Sequence, residues 1–480
     1  MKKILIILMA FLVIASCTKL EDLNKDTKNP TAVPGVTLFS NAQKNLASQI
    51  ASTNVNLNVF KLFAQYWTET TYTDEANYDI INRTIADNAW MVWYRDVLMD
   101  LQEARLTIES SAYATTDEEM AAANQLLIAD ILECFVYERM VTLWGDIPYT
   151  QALDIENINP AYDDAFTIYN DLIVRLNADI AGLSPNADYG SYGGADVIYG
   201  GNVDMWVMFA NSLKLKMGIT LAKSNATLAK TTIESAIAGG VFTSNAYNAE
   251  VDFLDAPPNT NPLYVDLTLS GRQDFIGTGT MIDSIMNPLE DPRRAAYFTF
   301  APDTNVYLGG IYGASNPYAG YSHVADAIAT DPTFPCIILS YVEVEFYLAE
   351  AAARTIIPEG DAPTHYENGI KASFAWWGVD GADDYIAKPE VAYATAVGTW
   401  EEKIATQAWI AFYNNGYLGW TEWRRLQYPT FVPPPGAAMS DIPLRFTYPV
   451  FEQTLNGANY NAAASAIGGD NLTTKLFFLK

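Results

Sequence analysis

Residues 126–149, LLIADILECFVYERMVTLWGDIPY, constrain the fold of this chain more than any other stretch. Leu127, Ile131, Val136, Met140 and Leu143 recur at about helical spacing, and Phe135 and Trp144 widen the stripe until the helix is apolar on most sides. Such a helix has to lie inside a core. Gly145 suits a left-handed C-terminal cap and Pro148 forbids the helix from resuming. The stretch therefore predicts a central buried helix with an abrupt stop, and it reads as scaffold rather than as a site.

Further helices follow from the same period. Residues 36–67 read as one, residues 90–108 as another, and residues 68–82 between them, rich in Thr, Asn and Tyr, as a surface loop. Four pairs come next: 126–144 with 163–180, 203–221 with 228–237, 341–354 with 365–377, and 400–413 with 420–426. Pairs of this kind imply a mainly α, helix-turn-helix repeat scaffold, although no repeated sequence is legible. Residues 247–335 break the pattern, being dense in Pro, Gly, Asn, Asp and Tyr, with a short helical pattern only at 279–286. That is too long for an ordinary connection and too aromatic for disorder, so it predicts a functional insertion built of loops and short elements.

The amino terminus carries an address. Lys2 and Lys3 precede the apolar run 4–14, which is too short to anchor in a bilayer, and Ile14-Ala15-Ser16-Cys17 resembles a bacterial lipobox. The reading is a signal peptide over 1–16, a lipidated Cys17, a polar tether over 17–34, and one domain over 35–480. Lys19, Glu21 and Asp22 resemble the export signal of surface lipoproteins in the Bacteroidetes. Against 28 basic residues stand 56 acidic ones, a balance that excludes nucleic acid and an anionic membrane surface as electrostatic partners. Cys134 and Cys336 sit in apolar surroundings and read as buried thiols, with a disulfide between them the alternative.

Catalytic and metal chemistry find little support. The only histidines, His323 and His365, have no metal-ligand spacing, and no phosphate loop or GxSxG elbow is present. No cofactor and no metal are expected; the acidic turn at 380–384 reads as solvated rather than as a calcium loop. Trp90, Trp93, Trp206 and Trp400 read as core. Sugar binding needs flat aromatic faces beside short amides and carboxylates, and two loop clusters supply them. Tyr72 and Tyr78 with Asp74 and Asn77 form one; Tyr307, Tyr312, Asn316, Tyr318 and Tyr321 form the other.

A wider resemblance runs through the chain. Asn29-Pro30-Thr31 follows the lipobox, Trp144-Gly145-Asp146-Ile147-Pro148-Tyr149 closes the central helix, and Trp206 precedes Phe209-Ala210-Asn211-Ser212-Leu213-Lys214-Leu215. Tyr347-Leu348-Ala349-Glu350-Ala351, Tyr366-Glu367-Asn368-Gly369-Ile370, Ile442-Pro443-Leu444-Arg445 and Tyr448-Pro449 come after, in that order, ahead of Glu452 and Asn456. The chain thus resembles the SusD/RagB family of outer-membrane nutrient-binding lipoproteins, in its SusD-like branch, although Leu476-Phe477-Phe478-Leu479 departs from the usual tryptophan-rich ending. The resemblance implies a tetratricopeptide-like scaffold and a cell-surface lipoprotein acting as a lid on a SusC-type TonB-dependent barrel. It implies capture of an oligosaccharide, with an oligopeptide as the alternative; a surface glycoside hydrolase is a remote reading that the 56 acidic residues leave open. It transfers no ligand contact residue by residue.

Overall fold

The computed structural model describes residues 33–480. The signal peptide, Cys17 and all but the last two residues of the tether lie outside the described residues. The paired-helix expectation holds. Gly35–Ala51 (α1) packs on a long run, Ile85–Glu109 (α2), whose middle, Val92–Leu98, is wound as π-helix. Thr116–Trp144 (α3) pairs with Ala165–Leu183 (α4), Val203–Leu221 (α5) with Ala226–Gly239 (α6), Tyr341–Ala353 (α7) with Ala362–Trp376 (α8), and Trp400–Ala411 (α9) with Gly416–Leu426 (α10). Each pair buries an apolar face that neither helix could bury alone. The mainly α, tetratricopeptide-like class read from the sequence is the one found.

The central helix is longer than its apolar stripe. A capping box at Thr115, whose hydroxyl accepts from Glu118 N at 3.2 Å while Glu118 returns a carboxylate to Thr115 N, starts it ten residues before the stripe. From Ile131 to Trp144 every residue is buried, charged ones included. Glu138 is therefore paired with Lys216 of α5 at 3.2 Å, and the Arg139 guanidinium lies 4.0 Å above the ring of Tyr417. Gly145 does stop the helix, but at φ +93 and ψ −128 rather than in the left-handed helical well, with its N–H still bonded to Val141. That backbone is glycine's in either case. Ile147-Pro148 then pairs with Tyr162-Asp163 in a two-residue ladder.

The predicted helix over 36–67 breaks at Ser52. Ser52 Oγ accepts from Asn54 N and Asn54 Oδ1 from Asn56 N, so side chains turn the backbone away from the helical ladder. Lys61 reaches back to donate to the freed carbonyls of Ala51 and Ser52 at 2.8 and 3.2 Å, and burial pulls its pKa down to about 7. The predicted surface loop 68–82 is likewise half interior: Trp67–Glu69 forms strand β1, and Glu75, Ala76, Tyr78 and Ile80 are buried.

Strands frame the insertion. Ala249–Val251 pairs antiparallel with Cys336–Leu339, so the region enters and leaves at one place on the scaffold. Inside it, Phe275–Gly277 pairs with β1 in the register Trp67↔Gly277, Thr68↔Ile276, Glu69↔Phe275. Buried Arg293 and Asp291 lock the insertion to α8 and α9 through Ser373 and Gln407. Cys134 and Cys336 are both free and buried, which decides against the disulfide.

Beside the insertion, Glu343 caps α7 with Ser340 and lies wholly inside, where burial raises its pKa from 4.5 to about 7. Between those values the folded chain binds more protons than the unfolded one, so stability falls as pH rises through that window. Glu343→Gln, which keeps the acceptor for Ser340 N, should remove a slope worth roughly 3 kcal/mol from pH 4.5 to 7 in urea titrations. Equal slopes in the two proteins would exclude this carboxyl as their source.

Candidate functional site

The β1 pairing brings together the two loop clusters that sequence kept apart. Asn316 N and Ser315 Oγ donate to Thr70 O at 2.8 and 2.9 Å, Asn77 Nδ2 donates to Gly313 O at 2.8 Å, and the rings of Tyr78 and Tyr312 stand 6.3 Å apart. Three of the candidate residues make this junction rather than a binding face. Tyr312 is buried and donates to Leu62 O at 3.0 Å, Tyr78 is buried edge-on against Phe63, and Asn316 is 3% exposed with its amide spent on Glu69, Ile311 and Ala314. Burial raises the Tyr78 phenol to about 12. These three support the loops rather than face the solvent.

Tyr72 is different. Its ring is 62% exposed, at a cleft of about 310 Å³ whose walls come from three directions. Thr53 to Asn56, the turn that breaks the first helix, give one wall; Glu69 and Arg83 give the second; Asp266, Ser270, Arg272, Asp274 and Phe275 of the insertion give the third. Both arginines are already committed, Arg83 to Glu75 and Arg272 to Asp274. Glu69 accepts from Ala76 N at 3.0 Å, and burial, with the neighbouring Glu75 carboxyl, raises its pKa to about 9. The cleft is polar, near neutral, and carries one open aromatic face.

The remaining candidates form two smaller surfaces. Tyr307 is half-buried against exposed Phe300, with centroids 4.6 Å apart, and Arg294 lies 5.3 Å from its ring. Tyr318 stacks on His323 at 3.6 Å, and Tyr321, half-buried, follows the same turn. Trp90, Trp93 and Trp206 are core, while Trp400 is partly exposed under Arg354. Sequence reasoning missed the asparagines at 54 and 56 because they fell inside an expected helix; the Asn-Val-Asn turn signal was there. It also missed Arg83, Arg272 and Asp274, charged loop residues that no pattern selects.

The fold and cleft define a class, a helical-repeat scaffold that displays a loop-built binding cleft. The SusD-like sequence family described as starch-binding and associating with the outer membrane matches residues 27–449, and the chain belongs to that family. Solved structures agree in fold. A SusD homolog from Bacteroides uniformis is 24% identical with a TM-score of 0.79, covering 92% of this chain and 99% of that one. A chitin-binding SusD homolog from Flavobacterium johnsoniae is 24% identical with a TM-score of 0.78, covering 92% and 98%. A SusD-like protein from Bacteroides thetaiotaomicron is 25% identical with a TM-score of 0.77, covering 92% and 98%. No curated protein matches the chain.

Proposed function

We propose that the chain is a cell-surface lipoprotein that captures neutral oligosaccharides and passes them to a SusC-type TonB-dependent barrel in the outer membrane. The observation that carries the reading is the open Tyr72 ring above a cleft lined with amide, hydroxyl and carboxylate groups. A flat aromatic face packs on the apolar face of a pyranose ring while those short polar groups take its hydroxyls. The family description as starch-binding and the chitin-binding relative support a glycan ligand. Ion pairing of both cleft arginines weighs against an anionic ligand, and no observation favours the oligopeptide alternative. Lipidation at Cys17 supplies the membrane anchor in this reading.

Binding rather than hydrolysis is proposed for the same cleft. The family's description as starch-binding supports that choice. Isothermal titration with starch- and chitin-derived oligosaccharides tests the reading. Tyr72→Ala should weaken binding about tenfold or more, as the loss of an aromatic anchor does, and copurification from the outer membrane should recover a barrel. Silence across neutral glycans would reject the glycan reading. Unchanged affinity in Tyr72→Ala would move the contact to the Phe300–Tyr307 surface.

A further inference from the structure

The helices α3 and α4, which contribute nothing to the cleft, bring three potential ligand atoms together. Asp130 and Cys134 are one turn apart on the same face of α3, and Asp179 meets them from α4; a carboxylate oxygen of each acid and the Cys134 sulfur all lie within 4.8 Å of one another. Asp179 is 4% exposed, and its Oδ2 has no hydrogen-bond donor among the described residues. Asp130, 13% exposed at its side chain, opens onto a cavity of about 440 Å³.

We propose that Asp130, Cys134 and Asp179 bind a thiophilic divalent cation of the zinc type. Charge accounting supports it. Arg105 and Arg175 each bridge Asp130 and Glu133 at 2.6 to 3.0 Å, so three carboxylates and a thiolate would face two guanidiniums, an excess of two negative charges that one divalent cation cancels. Binding forms one metal–sulfur and two metal–oxygen bonds and releases the Cys134 thiol proton to solvent.

The donor set selects the metal. A thiolate favours zinc over calcium or magnesium, which take oxygen ligands in larger number. Ligands around a tetrahedral zinc ion sit roughly 3.5 Å apart, so side-chain rotations of about an ångström close the site. The fourth position is left to water, while Arg105 and Arg175, which line the cavity beside Asp130, orient its carboxylate. Sequence inspection, which looked for histidines, had no reason to join a cysteine on one helix to an aspartate on the next.

Full-length protein, stripped with chelator, is titrated with Zn²⁺ by calorimetry in buffers of different ionisation enthalpy and with Co²⁺ by absorbance. The expected result is one ion per chain, release of the thiol proton on binding, and a near-ultraviolet thiolate-to-cobalt band that Cys134→Ser abolishes and Cys336→Ser keeps. Asp179→Asn should weaken Zn²⁺ binding at least about tenfold, the lower end of what losing even an outer partner costs. Failure of folded wild-type protein to bind either ion overturns the proposal, as does a cobalt spectrum indifferent to Cys134→Ser. Should that variant not fold, the affinity of the near-isosteric Asp179→Asn decides the matter. Neither outcome bears on the glycan cleft.

Discussion

Replacing Arg293 by methionine should cost about 3–5 kcal/mol, the range for stranding one partner of a buried ion pair. Arg293 and Asp291 are both fully buried; Nε and Nη2 donate to the two Asp291 oxygens at 3.0 and 2.7 Å. The guanidinium also donates to Ser373 Oγ at 3.1 Å and Gln407 Oε1 at 3.0 Å, and lies 4.9 Å from the Phe374 ring. Methionine fills much of the volume but leaves Asp291 charged and unpaired, so the insertion loses its clamp on α8 and α9. Combining Asp291→Asn with Arg293→Met removes the orphan charge and should restore a large part of the loss. Urea denaturation of the three proteins measures both effects. A single substitution costing under about 1 kcal/mol would mean that the pair only offsets its own desolvation and that other contacts hold the insertion.

That clamp also shows where sequence reading stops. The helix pairs were legible because a 3.6-residue period persists over ten or more residues and survives errors at either end. Strands of three residues have no period to read, yet β1 and Phe275–Gly277 are what bring residues 68–82 beside the insertion. Tyr72 and Tyr312 look alike in sequence, each in a polar, glycine- or threonine-rich loop. Tertiary contact alone separates them, since the Tyr312 hydroxyl finds Leu62 O in the core while Tyr72 faces solvent over the cleft. The end of α1 was missed for a local reason: Ser52 and Asn54 offer the backbone side-chain acceptors just where apolar spacing still looked helical. A charged residue such as Arg293 carries no pattern at all, because a buried pair is specified by the space around it.

Trp144→Ala should be the most damaging change to the scaffold itself, about 3–5 kcal/mol for emptying a buried tryptophan site. Trp144 is fully buried, edge-on to Trp90 at 5.1 Å and near Phe446 at 6.3 Å, and its Nε1 donates to Thr447 O at 3.1 Å. Three further contacts bind the C-terminal segment to the same corner. Phe446 N donates to Leu143 O, Arg445 to Trp144 O, and the Tyr448 hydroxyl to Asp146 O, while Arg445 is itself held within the segment by Asp470 at 2.7 Å. A Cβ on Gly145 would meet Leu476 at 2.9 Å, so the chain after the helix stop is packed down by the chain's own end. Trp144→Phe keeps an aromatic ring but no donor, and should fall between wild type and alanine. Limited proteolysis should then cut first within residues 443–480, because the cavity opens at the corner those residues cover. If phenylalanine costs as much as alanine, the bond to Thr447 O rather than ring packing holds the corner. In either outcome the residues from Trp144 to Tyr149 fasten the last segment of the chain to its central helix. The cleft at Tyr72 is built elsewhere, from the turn after α1, the chain around β1 and the insertion.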